Sequence, residues 1–300
     1  MHRFFLPTEK WNDATLDASE SHHALHVLRL GGGARVTVFD GEGGEAMATI
    51  SEVSGHRVHL HLGERTSQPP ATCAITLAQA VPKGKNMELI VQKAVELGAA
   101  AVAPILSERT IVHLDKTEAS RKRDKWTAIA LEACKQCGQN RLPHIASPQT
   151  LDRFFATREE TDLESAETRD ARQPQRIFAP FCSEFSAGIR SNTCRKFGAE
   201  WHQKAKADDV RLSSRHSLTL IASLQPDARP IRAALEDYER FSKRRPISVT
   251  ALIGPEGDFT PAELSLAKSH GAQPVTLGPI ILRTETAALY ILSVLSYELL

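Results

Sequence analysis

The sequence predicts an α/β protein in which a small β-rich unit precedes a larger domain of alternating strands and helices. Three observations predict it. Apolar residues alternate with polar ones at period two, between glycine turns, over the first 68 residues. After Cys73 the rhythm changes to strand, helix, strand, helix, which implies a parallel sheet covered on both faces. Near the end, Thr260-Pro-Ala-Glu263 forms a capping box directly after a buried strand and a glycine loop.

In the first unit, Val36–Phe39 is a strand, Gly41–Gly44 a turn, and Glu45–Val53 and Val58–Leu62 two further strands around Ser54-Gly55. One helix is expected over Ser21–Leu30, stopped by three glycines. Ser67–Pro70 reads as a linker. In the second unit the expected strands are Ala74–Ala78, Ala101–Leu106, Ser217–Leu224, Val249–Ile253 and Pro274–Leu277. The expected helices are Asn86–Leu97, Lys116–Cys137, Pro230–Phe241, Pro261–His270 and a last one running to Leu300. The stretch 157–216 breaks the rhythm with 11 Lys/Arg and 10 Asp/Glu, and reads as an insertion. The two domains are thus expected at 1–68 and 72–300.

Composition narrows the classes. The apolar fraction is 41% and the charged fraction 24%, which excludes a disordered or fibrous chain. The longest nearly uncharged apolar stretch, Leu97–Leu106, is far too short to span a membrane, and the first residues carry no signal peptide. Five scattered cysteines argue against a disulfide framework, so a cytoplasmic protein is expected. The net charge of +1 argues against nucleic acid being held by bulk electrostatics, while leaving room for a local basic face.

Two motifs read as structural. Gly41-Glu-Gly-Gly-Glu-Ala46 fits a dinucleotide fingerprint, but a strand pattern follows it where a helix is required, so it is a hairpin turn. Cys134-x-x-Cys137 has no second ligand pair and ends a helix, so both cysteines are expected to pack inside; no metal is expected. His59 and His61 alternate with leucines and form the polar face of a strand.

Four loops carry the chemistry. Leu224-Gln225 follows a strand. Gly254-Pro-Glu-Gly257 offers close backbone approach to a ligand, and an acidic Glu256 that turn geometry alone does not explain. Arg283 and Glu285 stand at a strand-to-helix junction, where backbone amides converge. Gly138–Arg141 is polar and cationic. Lys83, Lys85 and the run Arg121–Lys125 add possible phosphate contacts.

These blocks resemble the RsmE family of SPOUT-class RNA methyltransferases. The resemblance runs through Arg3-Phe-Phe5, His26-Val-Leu-Arg29, Val38–Gly41, Gln79–Gly84, Gln92–Gly98 and Ser107-Glu-Arg109. It is most specific in Glu132–Arg141, Ile253–Gly257 and Leu282–Ala287. It implies an N-terminal PUA-like β-barrel that binds RNA and a SPOUT domain with a trefoil knot. It also implies a homodimer and S-adenosylmethionine-dependent methylation of a uridine N3 in small-subunit (16S) ribosomal RNA. The cofactor residues it implies are Leu224, Gln225, Gly254, Pro255, Glu256, Gly257, Leu277, Gly278, Leu282, Arg283 and Thr284. The RNA-binding residues are Arg3, Arg29, Lys83, Lys85, Arg109, Asn140 and Arg141. Arg283 is expected to stabilise charge on the uracil oxygens and Glu285 to accept the proton. Two positions depart from the family pattern: Asp258 replaces a common glycine, and Ile280 a common arginine. The alternative is a non-catalytic RNA-binding ribosome-assembly factor on the same fold, against which the intact Arg283–Thr286 and Gly254–Gly257 blocks argue.

Overall fold

The computed structural model describes residues 1–110, 114–158 and 217–300. Its first sheet has four strands in the order β1-β2-β3-β4: β1 (Arg3–Phe5), β2 (Arg35–Phe39), β3 (Gly44–Ser54) and β4 (Arg57–Ser67). β1 runs parallel to β2, and the other pairs are antiparallel. The Gly41–Gly44 turn is a hairpin, as the strand pattern after it requires. Asp40 ties it by accepting the N–H groups of Glu42 and Gly44 at 2.7 and 2.8 Å, and Gly43 takes φ +107. No helix opens there, so the dinucleotide reading has no structural support. Val58 and Leu60 are buried on β4 while His61 faces outward, matching the expected polar face.

The helix expected at Ser21–Leu30 starts earlier. α1 spans Ala18–His22 because the Asp17 side chain accepts the Glu20 N–H at 2.8 Å, and a π-helical turn over His23–Val27 follows. It stops before the glycines, at Arg29, whose φ is +54.

The second sheet is parallel throughout, in the order β10-β12-β9-β11-β5-β6-β7, with β8 also pairing to β6. Its strands are β5 (Ala74–Ala80), β6 (Ala101–Leu106), β7 (His144–Ile145), β8 (Gln149–Thr150), β9 (Ser217–Ala222), β10 (Arg229–Pro230), β11 (Ser248–Ile253) and β12 (Gln273–Thr276). The helices are α2 (Asn86–Glu96), α3 (Lys116–Cys137), α4 (151–158), α5 (Ile231–Ser242), α6 (Pro261–Ser269) and α7 (Thr284–Leu299). Side chains leave the two faces alternately. Leu77, Leu220 and Ala251 join Ile90, Leu235 and Ile291 in one core, and Ala78, Ile221 and Leu252 join Phe154, Leu264 and Ala267 in the other. Each large aliphatic side chain so buried contributes roughly 1.5–3 kcal/mol. Thr157 and Arg158, the first residues of the expected insertion, close α4; the rest of that segment lies outside the described residues.

α3 begins and ends where the sequence predicts, with an Asp115–Glu118 capping box and a left-handed Gly138 at φ +82. Only one of its two cysteines packs inside. Cys134 is fully buried, while Cys137, almost a full turn on, is exposed, because three residues rotate a helix by about 300°. Burial pushes the Cys134 thiol up to about 12.

The end of α3 and the loop after it are stitched to the first unit. Gly43 N–H donates to the Asn140 carbonyl at 3.0 Å, and Leu142 N–H to that of Gly41 at 2.9 Å. Arg3 lies 5.0 Å over the Phe39 ring and donates to Glu45 and Asn140. The Lys135 ammonium, only 10% exposed, pairs with Glu20 and with Glu132.

Candidate active site

Three loops leave the C-terminal ends of adjacent parallel strands, β9, β11 and β12, and enclose a cavity of about 470 Å³. Ligands of open α/β sheets bind at this edge because loops and helix N-termini converge there. Ten of the residues expected at the site line it: Leu224, Gly254, Pro255, Glu256, Leu277, Gly278, Leu282, Arg283, Thr284 and Glu285. Gln225 and Gly257 do not. The Gln225 N–H instead donates to Ser223 Oγ at 3.2 Å, and the Gly257 carbonyl accepts from Arg109.

Local sequence explains each wall. At Gly254 an added Cβ would lie 3.1 Å from both Asp258 Oδ1 and Phe259 N, a tight approach that glycine relieves where the chain folds back. Asp258 itself sits at φ +61, the left-handed region that a glycine adopts freely and an aspartate tolerates. It steadies the turn by accepting the Phe259 N–H at 2.8 Å, and it places a second carboxylate beside the cavity. Thr260 and Glu263 form the full capping box of α6. Glu263, 6% exposed, also accepts Ser107 Oγ and the Glu108 N–H, each at 3.0 Å, which binds the loop after β6 to the loop after β11. At the third wall, Ile280 and Ile281 are 69% and 80% exposed, so the position that departs from the family pattern sets an apolar lip on the cavity.

Arg283 is the N-cap residue of α7 and is exposed; Glu285, half-buried, lies in the first turn. Sequence reasoning misses Asn86, which lines the same cavity from the start of α2 and donates from Nδ2 to Glu285 Oε2 at 3.3 Å. Its one signal is its place at a strand-to-helix junction. Four carboxyl or guanidinium groups, Glu256, Asp258, Glu285 and Arg283, thus line a space whose remaining walls are apolar side chains, backbone and the uncharged polar side chains of Asn86, Ser223, Thr276 and Thr284.

The cations expected to meet RNA divide into two sets. Arg29, Lys83, Lys85 and Arg109 are exposed, and two of the loops that carry them contact the Gly254–Gly257 loop. The Lys83 N–H donates to Glu256 Oε1 at 3.0 Å, and Arg109 donates to Gly257. Arg3, Asn140 and Arg141 lie in the seam between the units, where Arg141 donates to the Gln68 carbonyl at 2.7 Å. In the run Arg121–Lys125, Lys125 pairs with Glu88 and Arg123 with Asp124. Among the described residues no group of three or more His, Cys, Asp or Glu could hold a metal, and no helix is long and apolar enough to cross a membrane.

This geometry, a parallel α/β sheet with a loop-built cavity following a small four-stranded β-unit, has a counterpart among known families. The family model for an RNA methyltransferase domain matches residues 69–189 and 202–296, and that for an RNA methyltransferase PUA domain matches 16–62. The chain therefore belongs to the RNA methyltransferase family. The curated relatives it resembles carry a narrower name, ribosomal RNA small subunit methyltransferase E. It is 26% identical over 304 residues to the ribosomal RNA small subunit methyltransferase E of Bacillus subtilis, covering 99% of this chain and 97% of the relative. A crystal structure of the Neisseria gonorrhoeae ribosomal RNA small subunit methyltransferase E bound to S-adenosyl methionine superposes with a TM-score of 0.67 at 25% identity, covering 99% of this chain and 98% of that one. A Legionella pneumophila structure, described as a methyltransferase with bound cofactor SAM, gives 0.70 at 28% identity, covering 99% and 98% of the two chains.

Proposed function

We propose that this protein transfers a methyl group from S-adenosylmethionine to N3 of a uridine in small-subunit ribosomal RNA, acting in the cytoplasm as a homodimer. The observation that carries the reading is the cavity at the ends of β9, β11 and β12, with Arg283 and Glu285 at its wall. Its residues fit the cofactor. The volume of about 470 Å³ suits a ligand of that size. Ile253, Leu277 and Leu282 offer apolar surface to a purine, and Glu256 and Asp258 offer negative charge to a ligand carrying an ammonium and a sulfonium. Under this reading residues 1–68 form a PUA-like barrel for RNA, and residues 72–300 a SPOUT domain whose three cavity loops are knotted.

When bound, S-adenosylmethionine supplies a methyl group on a cationic sulfur that departs as a neutral thioether. Uridine N3 carries a proton and is a poor nucleophile until it is lost, so the protein's task is to position the base and favour its anion. Glu285 accepts the N3 proton, directly or through one water. Arg283 faces the negative charge that then spreads onto the uracil oxygens. The nitrogen lone pair forms the new N–C bond, and the electrons of the broken bond stay with the leaving group. Because N3 lies on the pairing edge, the target base is presented unpaired.

Mass-spectrometric mapping of ribosomal RNA from cells lacking the protein should show the loss of one methyluridine; retention of every uridine methylation would overturn the reading. Arg283→Ala should lower turnover about 100- to 1,000-fold, measured with purified small-subunit RNA. Calorimetry separates the enzyme from an assembly factor on the same fold, since only the enzyme needs to bind S-adenosylmethionine.

A further inference from the structure

Among the residues lining the cavity, all but one lie between 222 and 287; the exception is Asn86, at the first position of α2. It is fixed there by its neighbours. Met87, Ile90 and Val91 bury the adjoining face of the helix, and the Glu88 N–H donates to the Lys85 carbonyl at 3.0 Å. Opposite a carboxylate, only the amide nitrogen can donate, so the contact at 3.3 Å with Glu285 Oε2 also sets which way the Asn86 amide is turned. Among the described residues Glu285 has no other side-chain partner, and its Oε1 is left free to take a proton.

We infer that Asn86 is a positioning residue for Glu285: it holds one carboxylate oxygen so that the other meets the substrate. The inference rests on the reading of Glu285 as base. The amide keeps a second N–H and its carbonyl oxygen after this bond is made, so it supports the carboxylate without neutralising it. A lysine in its place would pair with the carboxylate and weaken it as a base; an aspartate would repel its charged form. The other charged groups that line the cavity with Glu285 are Arg283, the cap residue of its helix, and Glu256 and Asp258 on the loop after β11, while Lys85 is the cap residue of α2.

The test uses the full-length protein and its N86A, N86D and E285Q variants. Single-turnover methylation of small-subunit RNA is followed across pH, S-adenosylmethionine binding by calorimetry, and the Glu285 carboxyl carbon by NMR in cofactor-free protein. N86A should lower kcat about ten- to a hundredfold while changing KM for RNA and cofactor affinity by less than about twofold. N86D should move the acidic limb of the kcat profile to higher pH, and the Glu285 carbon should titrate at higher pH than in the unmodified protein. Unchanged pH profiles and NMR titrations in correctly folded, cofactor-binding N86A and N86D, with E285Q inactive, would overturn the role of Asn86 and leave the base reading intact. Near-normal turnover in E285Q would instead remove the base reading, and with it the role of Asn86.

Discussion

At the scale of single residues, the structure separates side chains that sequence motifs treat alike. Cys134 and Cys137 form one C-x-x-C motif, yet only Cys134 is buried, with its thiol raised to about 12. In native protein at mildly alkaline pH, iodoacetamide followed by peptide mass spectrometry should label Cys137 and leave Cys134 untouched until the chain unfolds. Glu263 makes a similar point. Capping boxes accept Glu or Gln, but this carboxylate also receives the Ser107 hydroxyl and two backbone N–H groups, at Glu108 and Thr260. Glu263→Gln would turn an amide NH2 toward donors, and should cost about 1–3 kcal/mol in denaturant titrations. The capping box is legible in the sequence. The bond to Ser107 is not, because it crosses 156 residues. The same holds for Asn86, which is 199 residues from the carboxylate it touches. The loops that line the cavity each follow a strand; Gly254–Gly257 and Arg283 with Glu285 carry their own glycine or charge signal, whereas Leu224 carries none and is named only through the family resemblance.

At the scale of elements, the ends that sequence predicts well are those with strong chemical punctuation. Asp115 and Gly138 bound α3 on both sides. β1, β7, β8 and β10 are two or three residues long, too short for any period to register, and are defined only by their neighbours in the sheets. α1 hides its start behind a cap residue set before a polar first turn. The join between α3 and α1 is the most electrostatically committed of these contacts. Burial pushes the Glu20 carboxyl above its usual range in spite of its bond to Lys135. Lys135→Ala would leave that carboxylate buried without its cation and should destabilise the protein by about 3–5 kcal/mol near neutral pH. Because the raised carboxyl binds its proton more tightly in the folded state, the loss should shrink as pH falls through and below the carboxylate range. It should grow as pH rises above that range. Thermal unfolding of both proteins between pH 4 and 8 measures the difference.

At the scale of the whole molecule, the near balance of charge conceals an uneven distribution. Residues 1–68 hold six Lys/Arg against nine Asp/Glu, so this first stretch, of which 16–62 match the PUA family model, is net negative apart from its histidines. Of the cations expected to meet RNA, Arg3 and Arg141 are engaged in the seam, which leaves Arg29, Lys83, Lys85 and Arg109 exposed. With roughly three or four phosphate contacts per chain, log K for single-stranded RNA should fall with log salt at a slope of only about −2 to −3, measurable by fluorescence anisotropy.

The order of strands across the second sheet sets a timetable as well as a shape. β5, β6 and β7 come from the early part of the domain and β9, β12 and β10 from the late part, and β11 alone touches both groups. Its register pairs Ala74 with Ser248, a contact that closes a loop of about 170 residues at an entropic cost of roughly 4.5 kcal/mol. During synthesis β5 must therefore wait, with one apolar edge unpaired, until β11 clears the ribosome. Folding by this route is slow and favours chaperone help. The cavity loops follow β9, β11 and β12, so no partly made chain holds a finished binding site, and the capacity to engage cofactor arrives only with the final helix.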